Sequence, residues 1–151
     1  MNLAQLNIGK IVDSLDSPSL AGFVARLENV NAQAEAAPGF VWRLKDDGAG
    51  ATSIRIFEDD LLIVNMSIWQ SPKHLHDFVY KQKEHAEALR MRKEWFEVVS
   101  EVMVVCWKIP EGSIPTIDGA REKLLLLRTL GSTEDAFTLR DANSFFEKYP
   151  D

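Results

Sequence analysis

A chain of 151 residues, 46% of them apolar and 26% charged, is long enough to bury one full core without a metal or disulfide staple, whereas two domains would each be marginal. Its formal charge of -6 works against a phosphate-backbone partner, because nucleic-acid affinity comes largely from counterions released by Lys and Arg. The single cysteine, Cys106, forbids an internal disulfide, and no secretory leader or apolar run of about eighteen residues stands out, so a cytoplasmic protein with no nucleic-acid and no membrane partner is expected.

Residues 1–151 read as one continuous domain, with 131–151 as a C-terminal extension. A first strand over 3–8 sets Ala4, Leu6 and Ile8 on one side and Leu3, Gln5 and Asn7 on a more polar other side. Ser17 as N-cap and Pro18 at the first position open a helix in which Phe23, Val24, Leu27, Val30, Asn31 and Ala34 keep the helical rhythm until Pro38-Gly39 stops it. A strand over 39–45 follows, with Phe40, Trp42 and Leu44 on one face and Val41 and Arg43 on the other. The polar, glycine-rich 46–50 reads as a loop, and 52–57 as a short extra strand.

Residues 61–69 give the strongest strand signal, with Leu61, Ile63, Asn65, Ser67 and Trp69 against Leu62, Val64, Met66 and Ile68. Ser71 and Pro72 start a helix that carries Leu75, Phe78 and Val79 inward. A helical stretch over 82–96, continuous with it or separate, carries His85, Leu89, Arg92 and Phe96. The last core strand spans 102–109 and ends at Pro110-Glu111-Gly112. Thr116 then caps a helix with the stripe Leu124, Leu127 and Leu130, closed by Gly131. The tail from Ser132 has aromatics without a period and is expected to pack over the surface.

The order β-α-β-β-α-β-α implies an α+β fold: a ferredoxin-like four-stranded antiparallel sheet with helices on one face. Its other face would be apolar and bare, so a homodimer that closes two such sheets into a dimeric α+β barrel is expected.

The residues that follow sharpen this reading. Asn65-Met66-Ser67-Ile68-Trp69-Gln70-Ser71, then Leu75, Phe78, His85 and Trp95-Phe96, resemble the strand-then-helix pattern of the dimeric α+β barrel superfamily, which includes antibiotic-biosynthesis and haem-degrading monooxygenases. More narrowly, Gly39-Phe40-Val41-Trp42-Arg43-Leu44, Phe78-Val79-Tyr80, Glu94-Trp95-Phe96, Trp107-Lys108-Ile109-Pro110 and Ala136-Phe137-Thr138 resemble a bacterial family known only as a domain of unknown function, number 3291. The narrower resemblance implies nothing about activity. It also shows a departure: a His commonly follows the glycine before Pro-Thr in that family, whereas this turn reads Gly112-Ser113-Ile114-Pro115-Thr116.

The resemblance implies a pocket between helices and sheet, walled by Trp42, Trp69, Tyr80 and Trp107 as ligand-binding residues, with Asn65 and His85 as the residues for chemistry. Asn65 and Trp69 lie four apart on one strand, hence on one face, so an indole packs a planar ligand while an amide hydrogen-bonds its oxygen; the plainer alternative is that Asn65 meets backbone and Trp69 closes the core. His85 either ligates haem or acts as a base, or it is a helix-face residue beside Glu84 or Glu87. No cofactor or haem are therefore the two cofactor expectations. His74 and His76 flank Leu75 with no partner at metal spacing, and no metal site is expected. Arg43 reads as one half of an ion pair across the dimer, and Cys106, within an apolar run, as a small buried hydrophobe. The functional expectation is a small-molecule-binding protein, monooxygenase-like on a planar aromatic or polyketide-like compound. A non-catalytic structural or regulatory homodimer and a haem-binding protein are the alternatives.

Overall fold

The computed structural model describes residues 1–45, 56–83 and 94–148. Four strands, β1 (Asn2–Lys10), β2 (Phe40–Arg43), β3 (Leu62–Trp69) and β4 (Val104–Ile109), form one sheet in the order β2-β3-β1-β4 with every pairing antiparallel. This is the expected α+β architecture. The expected loop over 46–50, most of the extra strand over 52–57 and the core of the helical stretch over 82–96 lie outside the described residues.

Helix α1 (Ala21–Ala36) is preceded by a single 3-10 turn, Pro18–Leu20, for which the fixed φ of proline is suited. Ser17 holds the N-cap position of that turn, but its side chain makes no capping hydrogen bond and its hydroxyl donates to Ser14 O at 2.6 Å. Ser71 does cap α2 (Pro72–Lys83), accepting from His74 N at 3.3 Å, and Thr116 caps α3 (Ile117–Leu130), accepting from Gly119 N at 3.0 Å. Gly39, at φ 80°, turns the chain from α1 into β2, and a side chain there would run into the His74 imidazole.

Strand β2 departs from simple alternation. Phe40 pairs with Trp69 and Trp42 with Ile68, so Val41 is an extra residue in a bulge. Phe40 therefore packs on the Trp69 side and Trp42 on the Ile68 side, where a regular strand would put them together. Arg43 ion-pairs within its own chain, its Nε 2.7 Å from Glu35 Oε1.

The helices inside the β-α-β-β-α-β core, α1 and α2, lie on the face of Leu3, Trp69 and Ile63. Helix α3 lies on the opposite face, where Ala120, Leu124 and Leu127 pack on Ala4, Leu6, Ile8, Met66, Ile68, Val105, Trp107 and Ile109. The most open of these strand residues, Ile109, is 7% exposed in a single chain. The sheet face that the residue pattern left bare for a second copy is thus covered by the chain itself. On α3 the buried series runs Ala120, Leu124, Leu127, while Leu130 is 63% exposed, one step outside the stripe.

The tail enters the core where a surface layer was expected. Phe137 is fully buried, exchanges backbone hydrogen bonds of 2.8 and 2.9 Å with Cys106 at the outer side of β4, and stacks on Phe145 of helix α4 (Ala142–Lys148).

Candidate functional site

The face under α1 and α2 is divided. At one end Leu3, Trp69, Leu75, Cys106, Phe137 and Ala142 form a closed apolar cluster joined by Phe40 and Phe78; at the other, Ile11, Leu20, Phe23 and Trp95 do the same with Ile63 and Phe96. Between them β1 contributes Gln5 and Asn7, and β3 contributes Ser67 and Asn65, in register as Gln5 with Ser67 and Asn7 with Asn65. Alternation places all four side chains on this face, so a polar band crosses the two central strands.

One half of the band is sealed and satisfied. The Trp69 indole Nε1 donates to Ser67 Oγ at 3.0 Å, and Ser67 Oγ donates to Gln5 Oε1 at 3.4 Å. Gln5 and Ser67 are buried. The other half is open: Asn7 and Asn65 are both exposed, although their strands are the inner pair of the sheet. On the helix side, Val30 stands between Leu27, which joins one cluster, and Ala34, which joins the other. Gln82, one turn beyond Phe78, accepts from Arg26 Nη2 at 3.3 Å and donates to Gln33 Oε1, tying α2 to α1.

Two opposed carboxamides offer hydrogen-bond donors and acceptors without formal charge, which suits a neutral polar ligand. The nearest thiol supplies no nucleophile. Cys106 pairs with Gln5 across β1 and β4, and burial pushes its thiol up to about 12, so it stays protonated at neutral pH. Among the described residues no group of three His, Cys, Asp or Glu side chains converges to hold a metal ion.

The structure divides the six residues singled out in the sequence. Asn65 lies on the open floor. Trp69 shares its face but is 1% exposed, stacked on Phe78 and edge-on to Phe40, as part of the closed cluster. Trp42 and Trp107 are on the opposite face, packed with the cluster under α3. Tyr80 is 61% exposed on α2 and stacks on His76. His85 lies outside the described residues. Asn7, Gln5 and Ser67 were not singled out; the polar side of β1 was visible in the sequence, but only the register sets it against Asn65.

The profile of a family described as "Domain of unknown function (DUF3291)" matches residues 2–148. The chain belongs to the DUF3291 family. No curated protein and no solved structure matches it. The DUF3291 match takes in all four strands, all four described helices and every residue of the polar band. Among the described residues of this DUF3291 protein, no helix is long and apolar enough to cross a membrane.

Proposed function

We propose that this protein binds a small neutral molecule on the Asn7–Asn65 floor, with the ligand's carbonyl or amide edge on the two carboxamides and its apolar parts against the flanking clusters. The observation that carries this reading is the exposure of both amides at the centre of the sheet, between two clusters that are closed. Both faces of this antiparallel sheet carry helices, so exposure at its centre is a local gap between packed clusters and not the one solvated face such sheets often have, and a gap floored by polar groups suits a ligand.

Oxygenase-like turnover of a planar compound and haem binding are further readings that rest on the superfamily resemblance and on His85. The floor supports binding alone. The proposed homodimer would have to use a surface other than the second sheet face, since α3 already covers it.

Native mass spectrometry of the purified protein tests the binding reading. A ligand retained by the wild type and lost from a folded Asn7→Leu/Asn65→Leu double variant is the expected result. Equal retention by both, or no retained or added neutral carbonyl compound binding to the wild type, would overturn it.

A further inference from the structure

The outer side of β2 carries a second opening, remote in composition from the amide floor. A groove of about 530 Å³ runs along the strand, bordered by Trp42 and Leu44 and by the charged side chains of Glu35, Arg43 and Lys45. Its volume falls within the range of small-molecule sites. Its chemistry differs from the floor's: two cations converge on one carboxylate oxygen, Arg43 Nε at 2.7 Å and Lys45 Nζ at 3.6 Å from Glu35 Oε1. Among the described residues that line the groove the balance is one positive charge in excess, in a chain whose overall charge is -6.

The guanidinium is held in place for an incoming anion. Arg43 Nη1 also donates to Leu44 O at 3.3 Å, which fixes the plane of the fork beside the groove. Trp42 is half-buried on the cluster under α3, on the other side of β2 from Arg43, so the groove borders both along the outer edge of the strand. Glu35, by contrast, is an exposed side chain in the last turn of α1. Exposed ion pairs contribute little net stability, so exchanging the Glu35 carboxylate for another costs little, and a ligand with an apolar body adds burial against Trp42 that Glu35 does not supply.

We propose that this groove binds a small aromatic carboxylate, whose carboxylate displaces Glu35 from Arg43 and Lys45 and whose ring lies against Trp42. The fork of an arginine matches a carboxylate in two parallel hydrogen bonds, which a neutral analogue cannot reproduce. Glu35 is then an internal competitor that keeps the cations occupied until such an anion arrives.

The test is calorimetric titration of the full chain with naphthalene-1-acetate as probe and its neutral amide as control. The acid is expected to bind and the amide to bind at least about tenfold more weakly, the scale of losing a hydrogen bond to a charged group. Arg43→Gln should weaken the acid by a similar factor, roughly tenfold, and Glu35→Gln should tighten it by removing the competitor. Glu35 is exposed and Arg43 half-buried, and circular dichroism checks that the variants stay folded. Asn7→Leu/Asn65→Leu should leave acid binding unchanged, which separates this site from the floor. Absence of acid binding, equal binding of acid and amide, an Arg43→Gln chain that binds as the wild type does, or no gain from Glu35→Gln would each overturn the proposal.

Discussion

Asn7 and Asn65 stand directly opposite each other on the two inner strands and are both exposed, while Leu3 and Trp69, further along the same ladder, are completely or almost completely buried. One antiparallel pair thus passes from closed core to open floor within two pleats.

Because the two amides are exposed, apolar replacement should cost little stability. Asn7→Leu and Asn65→Leu are each expected to shift the folding free energy by no more than about 0.5 kcal/mol, as for ordinary surface positions. Urea unfolding monitored by circular dichroism checks this. A loss of several kcal/mol in either variant would show that the amides are structural.

Trp69 belongs to the closed side, and its single indole donor is satisfied by Ser67 Oγ. Ser67→Ala should strand that buried N–H at a cost of about 1–3 kcal/mol, and Trp69→Ala should cost about 3–5 kcal/mol through the cavity it leaves. Denaturant midpoints measure both. A Trp69→Ala chain as stable as wild type would mean that the indole is a pocket wall with no structural duty.

Burial pushes the Cys106 thiol up to about 12 from an ordinary 9.0. Between those values the unfolded chain releases the thiol proton and the folded chain keeps it. Stability from this group is therefore complete below pH 9 and declines as pH rises toward 12. The native thiol should also resist iodoacetamide near pH 8 and react only after unfolding, as followed by intact-mass spectrometry. Stoichiometric alkylation under native conditions would contradict the burial.

Helix α3 distinguishes core from surface among neighbouring leucines. Leu124→Ala, at a fully buried position on the sheet, is expected to destabilise by about 2–5 kcal/mol. Leu130→Asp, at a 63% exposed position, should change stability by about 0.5 kcal/mol or less. Thermal melts of the two variants decide it. If α3 did not cover this face in solution, Leu124→Ala would be nearly silent.

The sequence carried most of the architecture and little of the site. Strand β3 was legible because it is rich in β-branched residues, and α2 and α3 were legible because Ser71 and Thr116 announce their first turns. The face chosen by α3 was not, since an apolar stripe says that a helix is buried but not beneath which side of the sheet. The separation of Phe40 from Trp42 was hidden too: a bulge adds one residue to a strand without any mark that a period of two can reveal. The burial of Phe137 was not legible because it joins β4 by one isolated bridge, which generates no repeating pattern. The floor itself needed β1 and β3 brought into register, since Asn7 and Asn65 are separated along the chain by a whole helix and a strand.

The outer margins of the sheet are guarded in different ways. Strand β2 is short and bulged, ends on Arg43 and is followed by Lys45, all features that discourage a foreign strand from pairing with it. Strand β4 has no such protection of its own; at Cys106 its outward amide and carbonyl are taken up by Phe137. Proteolytic clipping ahead of Ser132 would strip that shield and leave a six-residue ribbon of hydrogen-bonding groups facing outward, so the clipped protein should self-assemble into fibrillar aggregates that the intact one avoids.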